Sequence, residues 1–246
     1  TANSDGSFNG VFDFVAVSNY SGDIIASVIG RSIIADNSFL DSSAVQKTIA
    51  INPVADAPSA NSADVVASDG VEDAVIGSGK TAKIAVDADL TDTDGSEQLS
   101  IILKLPAEVT GASFVPGNGD AVVTGTVATD VSGFDGQRVV SFNVASGQEN
   151  SGKFEFELLM ENHFSGSSSL EVLARSTDGT DIIDTNVGSH SFVITPVADA
   201  PILEDGNIII ETGSEDGFDL SGAADPTRVN LSAQYADLSE VHKVII

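Results

Sequence analysis

Apolar residues recur along this chain in short runs that alternate with polar ones, as in Lys83-Ile84-Ala85-Val86-Asp87. Period-two alternation predicts a half-buried strand, because successive side chains of a strand point to opposite faces of the sheet. The same reading predicts strands over 99–105, 121–128, 138–144, 153–159, 170–175 and 191–195. Between them lie clusters such as Pro116-Gly117-Asn118-Gly119-Asp120 and Ser132-Gly133-Phe134-Asp135-Gly136. These residue types supply left-handed backbone or hydrogen-bond their own main chain, so they read as turns. No stretch sustains a helical stripe. Short strands with frequent turns predict an all-β chain built as an antiparallel β-sandwich.

The pattern also repeats. Pro53-Val54-Ala55-Asp56-Ala57-Pro58 returns unchanged as Pro196-Val197-Ala198-Asp199-Ala200-Pro201, 143 positions later. Upstream, Tyr20-Ser21-Gly22 and Val28-Ile29-Gly30-Arg31-Ser32 match Phe164-Ser165-Gly166 and Val172-Leu173-Ala174-Arg175-Ser176 at a shift of 144, so one single-residue indel separates the copies. Downstream, Glu72-Asp73 matches Glu215-Asp216 and Ser96-Glu97 matches Ser239-Glu240. The period is too long for a solenoid and suits globular beads in tandem. The expected division is the C-terminal part of one repeat over 1–55, a complete β-sandwich repeat over 56–199, and the N-terminal part of the next over 200–246, with the chain starting and stopping inside repeats. The sandwich type expected is cadherin- or immunoglobulin-like, without the Cys and Trp hallmarks of antibody domains, since the chain has neither residue. Prolines on both sides of Ala-Asp-Ala fix φ and keep the linker extended.

Charge narrows the partners. Asp and Glu number 37 against 10 Lys and Arg, a formal net charge of −27. Such a surface repels nucleic acid phosphates and anionic membranes and favours cations. No apolar run approaches a membrane span, so no direct membrane insertion is expected. A hydrophobic content of 41% is enough for real cores, which places the acidity on a folded surface. With no Cys, neither a disulfide nor a thiolate metal site is available to hold the loops.

The densest acidic stretch is Asp87-Ala88-Asp89-Leu90-Thr91-Asp92-Thr93-Asp94-Gly95-Ser96-Glu97. Alternate carboxylates followed by a Gly turn and a Glu can converge on Ca²⁺, which takes 6–8 oxygen ligands. The same spacing also suits a solvated Asx-rich turn. Glu72-Asp73, Asp178-Gly179-Thr180-Asp181 and the linker residues Asp56 and Asp199 are candidates to join it, and a linker Asp suits a metal that bridges two beads. At a uniform shift of 143, the third repeat sets Tyr235-Ala236-Asp237-Leu238 against Asp92-Thr93-Asp94-Gly95, which leaves its loop incomplete.

Other signals are weaker. Ala74-Val75-Ile76-Gly77-Ser78-Gly79-Lys80-Thr81 satisfies a relaxed phosphate-loop pattern, but it precedes an alternating strand where that motif requires a helix. His163, His190 and His242 lie far apart, and the repeat sets Asn19 opposite His163, so the histidines read as surface residues. No nucleophile, base and orienting group converge in the sequence, and no enzymatic activity is expected.

Together, the Pro-Val-Ala-Asp-Ala-Pro linkers, the following Glu-Asp, the Asp92–Glu97 loop leading to Leu99 and Leu105-Pro106-Ala107, and the Phe164-Ser165-Gly166 turn resemble the tandem repeats of giant bacterial RTX adhesins exported by type I secretion. The resemblance spans essentially the whole chain. It implies extracellular extender domains on the bacterial cell surface, rigidified by Ca²⁺ near their junctions, with neighbouring repeats as partners and a host or surface ligand bound by other domains. The implied ligands are Asp92, Asp94 and Glu97, then Asp56, Glu72, Asp73 and Asp199, while Asp89 of the same acidic stretch is a further candidate metal ligand. The alternative is a bead that itself binds a glycan or peptide, which an insertion peculiar to one repeat would favour.

Overall fold

The computed structural model describes residues 9–92, 94–116, 126–128, 131–147, 149, 153–202, 208–213, 215, 217, 223–224, 227–234, 241 and 243. No described residue is helical. The expected strand over 121–128 is described only at its end, and most of the Pro116–Asp120 turn lies outside the described residues. Four strands come first: β1 (Gly22–Val28), β2 (Arg31–Ile33), β3 (Phe39–Asp41) and β4 (Val45–Ile51). Ten follow: β5 (Ser59–Ser68), β6 (Gly70–Val71), β7 (Lys83–Asp89), β8 (Glu97–Lys104), β9 (Val109–Val115), β10 (Thr126–Ala128), β11 (Val139–Asn143), β12 (Lys153–Met160), β13 (Gly166–Asp178) and β14 (Asp181–Thr195). The last two are β15 (Ile208–Glu211) and β16 (Arg228–Leu231).

Strands β5 to β14 form the sandwich. One sheet runs β10-β11-β8-β13-β14-β6 and the other β5-β7-β12-β9. All pairs are antiparallel except the short parallel pair of β14 with β6. Alternation builds the core: Ile84 and Val86 of β7 and Phe154, Phe156 and Leu158 of β12 pack in one cluster with Leu99, Ile101 and Leu103 of β8 and Phe142 of β11. The Phe142 and Phe156 rings meet across the sheets at 4.4 Å between centroids, at the close limit of the spacing where tilted aromatic pairs attract beyond their buried area. Strands β5 and β9 had no clear alternation because both are sheet edges. Their positions are mostly half-buried or exposed, so a polar residue costs little at most of them.

Positions related by the sequence repeat pair identically. Gly22 faces Ile51 as Gly166 faces Ile194, and Val28 faces Val45 as Val172 faces Gly188. Beyond these, Arg31 faces Asp41 as Arg175 faces Asp184, and each Arg binds its Asp with Nε 2.7 Å from a carboxylate oxygen. The single-residue indel falls in the turn that joins these strands, 34–38 in one copy and 178–181 in the other. A hairpin turn absorbs an extra residue without moving the register of its strands.

The third copy differs by two residues on one strand. Ile208 pairs with Leu231 and Ile202 with Gln234, whereas Val65 pairs with Val86 and Ser59 with Asp89. Along β16 the shift is therefore 145, which matches Val229 and Leu231 to the buried Ile84 and Val86. The loop that a uniform shift leaves incomplete falls on 235–240. Residues 235–240 lie outside the described residues.

Candidate metal centres at the two ends of the sandwich

At the end where the chain enters the sandwich, every residue of Ala55–Pro58 is held. The Ala55 N–H donates to Asp181 Oδ2 at 3.0 Å and the Asp56 N–H to Glu97 Oε1 at 2.5 Å. The Ala57 and Pro58 carbonyls accept from the Thr91 and Thr185 hydroxyls. The linker is extended by its prolines and fixed by these bonds.

They bring Asp56, Asp92 and Glu97 together, with ligand oxygens within 4.8 Å of one another. Asp92 and Glu97 are each only 5% exposed. Glu97 Oε2 is fully buried and has no donor at good hydrogen-bonding geometry. Burial first, and the charges of Asp92 and Asp56 after it, push the Glu97 carboxyl above its ordinary range, against the opposing pull of the Asp56 N–H and the nearby Ser176 hydroxyl. A cavity of about 250 Å³ opens beside the cluster, lined by Asn19, Tyr20 and Val54 from one side and Asp92 and Asp178 from the other, with Asp56 between. Its donors are all oxygens, carboxylate charge predominates, and one buried oxygen still lacks a donor. That chemistry fits a hard cation with water completing its shell.

Two expected ligands fall outside this set. Asp94 is exposed and serves its own turn: its carboxylate accepts the Ser96 N–H at 2.7 Å while its N–H donates to Asp92 Oδ1 at 2.8 Å. The Ser96 hydroxyl and then the Ser96 N–H hold the Asp94 carboxyl below its ordinary range. Asp94 therefore orients Asp92. Asp89 sits at the end of β7, where burial and then the charge of Asp87 push its carboxyl up.

Glu72, Asp73 and Asp199, candidates to join the Asp92 loop, lie elsewhere in the fold, with Asp73 and Asp199 gathered in a separate group. Strand β5, ten residues long at about 3.3 Å each, separates Asp56 from the Glu72-Asp73 corner, which lies at the opposite end of the bead. Glu72 is buried, accepts the Val197 N–H at 2.8 Å and so fixes the outgoing linker. Asp73 Oδ1 accepts the His163 N–H at 2.9 Å. His163 Nδ1 lies 3.0 Å from Asp199 Oδ2 and 3.4 Å from Asp73 Oδ2. His163 is exposed, as the sequence reading had it, but a lone histidine carries no spacing signal for its two carboxylate partners. Its position does carry one: His163 and the repeat-equivalent Asn19 both hold left-handed backbone, φ 60° and 62°, immediately before the aromatic-Ser-Gly turn. The phosphate-loop-like segment forms turns that run into β7, with the Gly77 N–H donating to Glu157 Oε2 at 2.6 Å.

No protein-family profile matches the chain, and no curated protein matches it in sequence. Among solved structures, it is similar to ACE19, the collagen-binding subdomain of the Enterococcus faecalis surface protein ACE, at 9% identity and a TM-score of 0.27, over 53% of this chain and 94% of that one.

Proposed function

We propose that this chain is a structural extender segment of a bacterial cell-surface adhesin, extracellular, in which Ca²⁺ bound by Asp56, Asp92 and Glu97 stiffens the junction between tandem β-sandwich repeats. The observation that supports this reading above the others is the linker Asp56. It is repeated in sequence at Asp199, its N–H binds Glu97, and its carboxylate meets two nearly buried carboxylates beside a cavity walled by both sides of the junction. Three carboxylates so close repel one another unless a cation is shared. The ion neutralises that charge and ties the linker to the bead, and ligands on the surface of a host or another cell are bound by other domains.

Thermal melts and small-angle scattering with Ca²⁺ and then with chelator test the reading. At a calcium concentration about 100 times the dissociation constant, binding adds roughly 2.7 kcal/mol, which for a domain of this size raises Tm by about 5–10 °C. Glu97→Gln is expected to lose most of that rise. Equal melting temperatures and equal maximum dimensions in calcium and in chelator would falsify the proposal.

A further inference from the structure

We propose that Asp73, His163 and Asp199 form a second metal site, at the opposite end of the bead, that takes a borderline divalent cation of the Zn²⁺ type and not Ca²⁺. This inference stands apart from the calcium reading and rests on different residues. The three side chains come from distant parts of the sequence, yet their donor atoms lie within 4.8 Å of one another. The donor set mixes one imidazole nitrogen with two carboxylates. Imidazole suits zinc and its neighbours, while calcium prefers oxygen alone. Donors held about 2.0–2.2 Å from a tetrahedral ion lie about 3.3–3.6 Å from each other. The observed separations from His163 Nδ1, 3.0 and 3.4 Å, need only small adjustment to reach that edge length. Three protein ligands leave a fourth position for water.

The ligands are also held in place before any ion arrives. Asp73 and His163 both occupy left-handed backbone, φ 55° and 60°. They are joined by the His163 N–H to Asp73 Oδ1 bond. Asp199 follows Val197, whose N–H is bound by the buried Glu72. At the other junction the repeat puts Asn19 where His163 stands, in the same backbone conformation, and Asn19 lines the oxygen-only cavity beside Asp56. The residue before the aromatic-Ser-Gly turn thus changes from an oxygen donor to a nitrogen donor between junctions, and with it the class of ion each junction selects.

The test is a zinc titration of the full chain by calorimetry, in excess Ca²⁺ so that oxygen-only sites are filled, with Co²⁺ absorbance as a probe of the coordination sphere. His163→Asn is the informative variant, because Asn occupies the equivalent left-handed position at the first junction and is expected to preserve the fold. Losing a direct ligand should weaken zinc by more than the roughly 10–100-fold that outer-shell partners cost. The calcium titration should stay unchanged, and Asp199→Asn should lower zinc affinity without abolishing it. NMR should show the His163 ring signals shifting with zinc while those of His190 do not. Equal zinc binding by wild type and His163→Asn overturns the proposal. So does the absence of a bound equivalent in the wild-type chain, which leaves His163 as a structural link between two carboxylates.

Discussion

At the scale of single residues, the acidic loop divides its labour by burial. Asp92 and Glu97 are withdrawn from water and face the linker, whereas Asp94 stays outside and shapes the turn. Asp89 belongs to neither role. Burial and then Asp87 raise its carboxyl pKa, so the folded protein holds that proton more tightly than the unfolded chain does. Its contribution to stability is fully present below the unfolded pKa of about 3.9 and is lost as pH rises through the raised folded value. Asp89→Asn is therefore expected to raise Tm at neutral pH by roughly 1–2 °C, a few tenths of a kcal/mol. The gain in Tm of the variant over the wild type should grow on going from about pH 4 to neutrality. Paired melts across that range check both. Asp92 and Glu97 were legible in the sequence because spacing alone places them on one loop. His163 was not, since what matters is a backbone conformation and two carboxylates 90 and 36 positions away, contacts that only the fold creates.

At the scale of elements, alternation identified the central strands and missed β5, β6 and β9 at the edges, for a physical reason. β7, β8 and β12 are packed on the core face and must alternate or run apolar. β5 and β9 carry such sequences as Ser59-Ala60-Asn61-Ser62 and Thr110-Gly111-Ala112-Ser113 because one side of each has no neighbouring strand. The two-residue β6 escaped for want of length. Its Gly70 nevertheless carries a close approach: a Cβ there would stand 2.4 Å from the Ala82 nitrogen and 3.1 Å from Ile194 Cδ1. Since the first of these is backbone, no rotamer change relieves it. Gly70→Ala is expected to destabilise the sandwich by about 2 kcal/mol or more, read as a lower urea midpoint. Protection of the Val71 and Glu72 amides from hydrogen exchange should fall with it, because they donate to Lys80 and Thr195 beside that contact.

At the scale of the whole molecule, the linkers matter more than their prolines alone suggest. Pro53 also packs on the β13–β14 turn, where a Cβ on Gly179 would lie 3.0 Å from Pro53 Cγ and where φ is +60°. Gly179→Ala is therefore expected to cost about 1 kcal/mol through left-handed backbone and to push the linker off the bead. Scattering should then show a broader spread of end-to-end lengths with the sandwich core still folded. An unchanged length distribution would mean that the hydrogen bonds of Ala55–Pro58 hold the junction without Pro53. The repeat was legible as a sequence period, but the two-residue change of shift along β16 was not, because only strand pairing reveals where a length difference is absorbed.

The outgoing linker leaves directly from the end of β14, a strand of fifteen residues that pairs along its length with β13 and, at that end, runs parallel to β6. If such beads are strung between a cell and whatever it holds, tension enters β14 along its own axis. Its hydrogen bonds then bear the load together in shear, unlike those of a hairpin pulled open from its end, which fail one at a time. The pairing that closes the sandwich is thus also the geometry that resists mechanical extension.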